Sequence, residues 1–194
     1  MVKVKFCGMT NLDDCKRAED LGVDFIGFVF YKKSSRYVRP ERVRRIAGRL
    51  GQEVRKVGVF VEEDDREIAG IMDSCGLDLA QVFRPSELAA TIRVVRVGRS
   101  KVEPVPREGL CLFDRYTEAF GGSGRAIDLS ALPEERALLE RAFIAGGVDE
   151  KNVGKVLRLD PFGVDLVSSL EARPGRKDPA KMERFIKTVR SLAL

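Results

Sequence analysis

Apolar residues along this chain gather in short blocks separated by longer amphipathic stretches, and the alternation keeps the same character from end to end. Residues 2–6 alternate apolar with basic side chains, the period of a strand. Asn11 then supplies an N-cap residue and an acidic first turn for a helix over 11–21. Residues 24–30 are almost wholly apolar, as a parallel strand covered on both faces requires, and Pro40 opens a helix to about residue 50. The pattern repeats with a strand over 54–61, an acidic helix start at 62–65 running to Gly76, and a strand over 77–83. Pro85 and Ser86 mark a short fourth helix. Strands follow at 92–97, 110–113, 142–145 and 163–166, with helices at 133–141, 149–159 and 179–192. Residues 98–109 carry two prolines and little helical period, which predicts an eroded fifth helix. Eight strand–helix alternations without a long linker or a shift in composition predict one domain over 1–194. The predicted fold is α/β, a single closed (β/α)8 TIM-type barrel of parallel strands. An open doubly wound sheet is the rival, but no G-x-G-x-x-G follows the first strand and no P-loop sequence occurs.

Composition narrows the chemistry. With 194 residues and 44% hydrophobic content the chain can bury one substantial core. Its 35 Lys and Arg against 30 Asp and Glu are dispersed, a balance that suits an anionic small molecule. No aromatic-plus-basic signature points to nucleic acid, and no apolar run approaches the roughly 20 residues that span a bilayer. The four cysteines form no C-x-x-C pair, so reduced thiols in a cytoplasm are expected. Histidine is absent altogether. That removes imidazole bases, Ser-His-Asp triads and histidine-ligated zinc, and leaves proton transfer at neutral pH to Cys, carboxylates, Lys or Tyr.

In a barrel of this type the C-terminal strand ends carry the site. Cys7 ends the first strand ahead of Gly8, where neighbouring cations or helix N-termini would favour a thiolate base. The commoner fate of such a cysteine is a small buried hydrophobe, the reading kept for Cys15, Cys75 and Cys111. Asp128 lies beyond the run Gly121-Gly122-Ser123-Gly124, flexible enough to close over a ligand, although an N-cap role ahead of a helix is the plainer alternative. Arg36 follows the second strand, where a guanidinium can grip a carboxylate with two parallel hydrogen bonds. Gln81 ends the fourth strand, and Asp114, after the sixth, could orient substrate or Arg36. Gly146 and Gly147 follow the seventh strand and Ser168 and Ser169 the eighth, where barrels commonly hold phosphate on backbone N–H groups.

These segments resemble the phosphoribosylanthranilate isomerase family of tryptophan biosynthesis. Lys5-Phe6-Cys7-Gly8-Met9-Thr10 is similar to the family's K-I-C-G-I-T, and 22–30 with Ser35-Arg36-Tyr37 to its G-A-D-x-x-G-F-V-F and S-x-R. Gly58-Val59-Phe60-Val61, the glycine run with Asp128, Ala145-Gly146-Gly147-Val148 and 171–178 extend the match along nearly the whole chain. The resemblance implies a cofactor-free Amadori rearrangement of a phosphorylated sugar amine. In it Asp128 is the general acid, Cys7 the general base and Arg36 the anchor of the anthranilate carboxylate. Gly146, Gly147, Ser168 and Ser169 would hold the phosphate. Three departures stand out: Gln81-Val82-Phe83-Arg84 replaces Q-L-H-G, Ser169 replaces a phosphate-loop glycine, and Leu129 replaces an aromatic residue after the acid. Two other readings remain open at this level: a catalytically silent sugar-phosphate-binding barrel, and a related enzyme such as indoleglycerol-phosphate synthase. A monomer and a homodimer fit the sequence equally.

Overall fold

The computed structural model describes residues 1–98, 103–116 and 127–192. Eight parallel strands close into a barrel in chain order: β1 (Lys3–Phe6), β2 (Phe25–Val29), β3 (Arg55–Phe60), β4 (Leu79–Val82), β5 (Thr91–Val97), β6 (Leu110–Arg115), β7 (Ala142–Ile144) and β8 (Gly163–Leu166). β1 closes the ring against β8, with Lys5 paired to Asp165. Because side chains alternate across a strand, each strand feeds two cores. Inward-facing Phe25, Val57, Leu79, Ile92, Val94, Leu112, Phe143 and Ala145 pack as one cluster inside the barrel. Phe25 meets Phe143 edge-on at 5.2 Å, and Phe162 closes the floor against both. Outward-facing Val4, Phe6, Ile26 and Phe28 join the larger layer beneath the helices, where Phe6 meets Phe185. Fully burying a side chain of this size contributes about 1.5–3 kcal/mol.

The helices α1 (Leu12–Asp20), α2 (Pro40–Ala47) and α3 (Asp65–Cys75) form where their end signals predict. Asn11 caps α1 by accepting from the Asp14 N–H, Pro40 opens α2, and Asp64 with Glu67 makes a reciprocal capping box on α3. Gly76 ends α3 in the left-handed region at φ 64°.

The second half departs from a full set of eight helices. The helix expected at Pro85 and Ser86 does not form. Eight residues join β4 to β5, and this link is pinned to the start of α3, where Asp65 accepts from the Glu87 N–H and from Arg84. Those bonds satisfy the backbone without a helix. No helix forms over 103–109 either: Glu103 folds back to accept from the Arg96 backbone and guanidinium. Of the predicted helix over 133–141 only α4 (Arg136–Leu139) forms, and of that over 149–159 only α5 (Val153–Leu157). After β8 a hairpin that the periodicity does not predict, β9 (Glu171–Arg173) with β10 (Arg176–Lys177), precedes α6 (Pro179–Leu192). Among the described residues no helix is long and apolar enough to cross a membrane.

Candidate active site

At the C-terminal end of the barrel, inward-facing polar side chains of β4, β6 and β8 line one cavity. The cavity is lined by Cys7, Arg36, Gln81, Asp114 and Asp165, with Tyr31, Phe83 and Leu112 among its apolar walls. A hollow of about 430 Å³ at the opposite end, under Lys3 and Phe162, contains no cysteine and no buried charge pair. The cysteine, the arginine and the buried carboxylates thus gather at the C-terminal cavity rather than in this hollow.

Cys7 is 4% exposed and its sulfur lies against Gly27, where any Cβ would come within 2.6 Å of it. Glycine at 27 thus makes the space for the thiol. Gly8, at φ 73°, plays the matching part for Arg36, whose Cδ would lie 2.7 Å from a Cβ there. The expectation that surrounding cations give Cys7 a depressed pKa is not met in this arrangement. Burial pushes the thiol up, Lys5 and Lys177 pull it down and Asp165 adds to the rise, with a net increase. The other cysteines behave as packing residues: all are buried and unbridged, and burial pushes Cys15 up to about 12 and Cys111 up to about 11.

Arg36 does form a two-pronged pair with a carboxylate, but the partner is the chain's own Glu171. Nε donates to Oε1 at 2.8 Å and Nη2 to Oε2 at 2.7 Å. Glu171, rather than Asp114, orients Arg36, which still borders the cavity. Glu171 also accepts from the Gly175 N–H and lies 3.6 Å from the Lys177 ammonium. Lys177 in turn donates to the backbone oxygens of Cys7 at 2.6 Å and Val167 at 2.9 Å, so the hairpin locks the end of β1 to the end of β8. Gln81 is 5% exposed, and its Oε1 has no hydrogen-bond partner.

Burial pushes Asp114 up to about 6, Asp165 adds to the rise, and a hydrogen bond from the Arg115 N–H opposes it. A carboxyl group whose folded pKa lies above its unfolded value stabilises the fold while protonated. That stability is complete below about pH 4 and is lost as pH rises to about 6. Asp114→Asn removes the loss. Relative to the parent, the variant is expected to gain ~2–3 kcal/mol more at pH 7.5 than at pH 4 in urea unfolding, at 1.36 kcal/mol per pKa unit. An equal difference at both pH values would show that Asp114 does not titrate in this range.

The remaining candidates sit on the same rim but do not line this cavity. The segment carrying Asp128 is tied to the loop after β7, since the Ile127 N–H donates to the Gly146 oxygen at 2.8 Å. The Asp128 carboxylate caps a 3-10 turn (Leu129–Ala131), accepting from the Ser130 N–H and hydroxyl. The capping role is therefore real, on a shorter turn than the predicted helix. The glycine run 121–124 lies outside the described residues. Gly146 and Gly147 both take left-handed backbone, at φ 77° and 69°, and a Cβ on Gly146 would come within 3.1 Å of Asp114. Ser168 and Ser169 form a second 3-10 turn (Ser168–Leu170), with the Ser169 hydroxyl buried and unpartnered.

Strand-end reasoning thus reached Cys7, Gln81, Asp114 and Arg36 but missed Lys5, Asp165, Glu171 and Lys177, all buried. Lys5 and Asp165 carried a usable signal: Lys5 is in phase with Cys7, and Asp165 interrupts an apolar strand. Among the described residues no group of three or more His, Cys, Asp or Glu side chains is placed to hold a metal ion.

Residues 4–188 match the family model described as N-(5'-phosphoribosyl)anthranilate (PRA) isomerase. The chain is 38% identical over 205 residues to a protein of that name from Thermotoga petrophila, covering 99% of this chain and 100% of the relative. It is 37% identical to one from Nitratiruptor sp., covering 95% and 97%. Its fold is similar to the solved structure of the phosphoribosyl anthranilate isomerase from Thermotoga maritima, with a TM-score of 0.86, 34% identity and coverage of 98% and 100%. It is also similar to an isomerase solved with reduced 1-(o-carboxyphenylamino)-1-deoxyribulose 5-phosphate, at a TM-score of 0.80, 32% identity and the same coverage.

Proposed function

This chain belongs to the N-(5'-phosphoribosyl)anthranilate isomerase family, and from that premise we infer how its own residues carry out the isomerisation in tryptophan biosynthesis. The substrate is an aminoaldose and the product the matching aminoketose, so no net oxidant or reductant is consumed. Asp128 gives its proton to the furanose ring oxygen. The C1–O bond breaks and the nitrogen lone pair makes a cationic Schiff base at C1. Cys7 takes the proton from C2, the C–H electron pair becomes a C1=C2 bond, and the iminium pair returns to nitrogen. Tautomerisation of the enol then gives the ketone.

Burial raises the Cys7 pKa, so the thiolate that takes the C2 proton forms by loss of the thiol proton to solvent, a loss favoured by the iminium cation that ring opening places next to the sulfur. The observation that carries this reading is a cysteine in a mostly apolar cavity that also contains an arginine with a fixed carboxylate-binding geometry. Arg36 keeps its remaining N–H groups for the anthranilate carboxylate while Glu171 fixes its plane. Phe83, in place of the usual histidine, and Leu112 flank the aryl ring, and Gln81 and Asp114 bound the site around it. Phosphate is held across the rim by the backbone of Gly146 and Gly147 and by Ser168 and Ser169. The unpartnered Ser169 hydroxyl offers a donor where a glycine would offer only its N–H.

All these residues come from one chain that acts as a single domain over 1–194, so a monomer and a homodimer alike contain complete sites. Four buried, unbridged thiols suit a reducing cytoplasm.

Purified protein is expected to consume phosphoribosylanthranilate, read as loss of its fluorescence, and to restore growth without tryptophan to a cell lacking the isomerase. A folded protein that does neither would leave a silent sugar-phosphate binder as the better account.

A further inference from the structure

Lys5 is fully buried and donates to Asp165 at 2.8 Å, across the β1–β8 seam that closes the ring. Taking such a pair out of water costs several kcal/mol per ion before their attraction is counted, and apolar replacements are often neutral or stabilising. The apolar cluster inside the barrel shows what such a replacement looks like, being built of Val, Leu, Ile, Phe and Ala. A buried pair kept here calls for a role other than packing. Lys5 faces inward on β1, two residues before Cys7, which directly follows the strand. Each of the two side chains acts electrostatically on the other: Asp165 together with Cys7 more than offsets the burial that would discharge Lys5.

We propose that Lys5, held in place by Asp165, is the positioning residue for the Cys7 base, its ammonium supplying the fixed positive charge against which the sulfur becomes an anion. This deepens the isomerase reading and rests on it. Other charges face Cys7 from the elements around it. Lys177 on β10 donates to its backbone oxygen and is paired near Glu171 on β9. Arg36, after β2, is committed to Glu171, and Asp114 on β6 borders the same cavity. Lys5 is the cation among them whose charged head lies inside the barrel with a carboxylate partner of its own. Asp165 thereby keeps the lysine protonated when Cys7 gains its proton, so the pair does not consume the proton that the reaction moves.

The test compares Lys5→Met and Lys5→Arg with the parent enzyme, with folding checked by circular dichroism. The rising limb of kcat/KM against pH is expected to move up by about one pH unit or more in Lys5→Met. Its kcat is expected to fall about tenfold while KM stays within about threefold, with partial recovery in Lys5→Arg. Alkylation of Cys7 by iodoacetamide at pH 9, read on the Cys7 peptide by mass, is expected to slow about tenfold, because only the thiolate reacts. A folded Lys5→Met with an unchanged limb and unchanged alkylation overturns the proposal.

If Lys5→Met does not fold, 15N-lysine spectra of the parent protein decide: the Lys5 Nζ signal is expected to shift when Cys7 is alkylated, and an unmoved signal overturns the proposal. Alkylation and spectra need no substrate. A parent protein that shows the Lys5 effect but does not turn over phosphoribosylanthranilate would therefore sink the isomerase reading separately.

Discussion

Cys7→Ala is expected to lower turnover of phosphoribosylanthranilate by about 10²–10⁴ while leaving the barrel folded. Removing a positioned proton acceptor costs a rate factor of that size, about 3–5 kcal/mol of transition-state stabilisation. The fold tolerates the change because the sulfur sits at the lip of the inner core rather than within it, and the Cys7 backbone is held independently. Its N–H donates to the Leu166 oxygen at 2.8 Å and its oxygen accepts from Lys177. The loss should fall on kcat, since Arg36 and the phosphate-binding loops that hold the substrate are untouched. Cys15, Cys75 and Cys111 serve as internal controls. They are buried outside the cavity, and their replacement by alanine should leave kcat within about twofold. Near-parental activity in Cys7→Ala would end its assignment as the base.

The strands could be read from the chain because in a closed parallel barrel both strand faces are covered, and this produces dense apolar blocks that nothing else in the chain imitates. The first three helices were equally open to inspection through Asn11, Pro40, Asp64 and Gly76, each a local end signal with its own hydrogen bond or dihedral. What replaced the fourth helix was hidden, since it depends on distant partners: Asp65 captures Arg84 and Glu87, 19 and 22 residues away, which no local pattern reports.

The candidate site divides along the same line. Cys7, Gln81 and Asp114 follow from strand ends and inward phase. The charges that hold them come from across the chain: Lys5 from Asp165, 160 residues away, and the Cys7 backbone from Lys177, 170 residues away. Lys5 was in plain view beside Cys7, yet a lysine in an alternating strand reads as solvated until the closure of β1 on β8 shows which face is inside.

Asp128→Asn isolates chemistry from structure more cleanly than any other substitution in this molecule. In the structure the carboxylate caps the 3-10 turn after the loop, and asparagine is as good a cap as aspartate because its amide oxygen can accept from the same Ser130 N–H. The turn, the Ile127 link to Gly146 and the melting temperature should therefore be preserved. What asparagine cannot do is give a proton to the furanose oxygen. Ring opening precedes every later step, so kcat/KM is expected to fall about 10²–10⁴. Binding of the reduced product analogue, whose chain is already open, should stay within about threefold. The contrast with Cys7→Ala is kinetic: an open-chain Schiff base should not accumulate when its formation is blocked, but should do so when the C2 proton has nowhere to go. Rapid-mixing absorbance during a single turnover distinguishes the two. Equal accumulation in both variants, or an Asp128→Asn enzyme within tenfold of the parent, would move the acid to another group, with Asp114 the first to examine because burial already pushes it up to about 6 in the cavity that Cys7 lines.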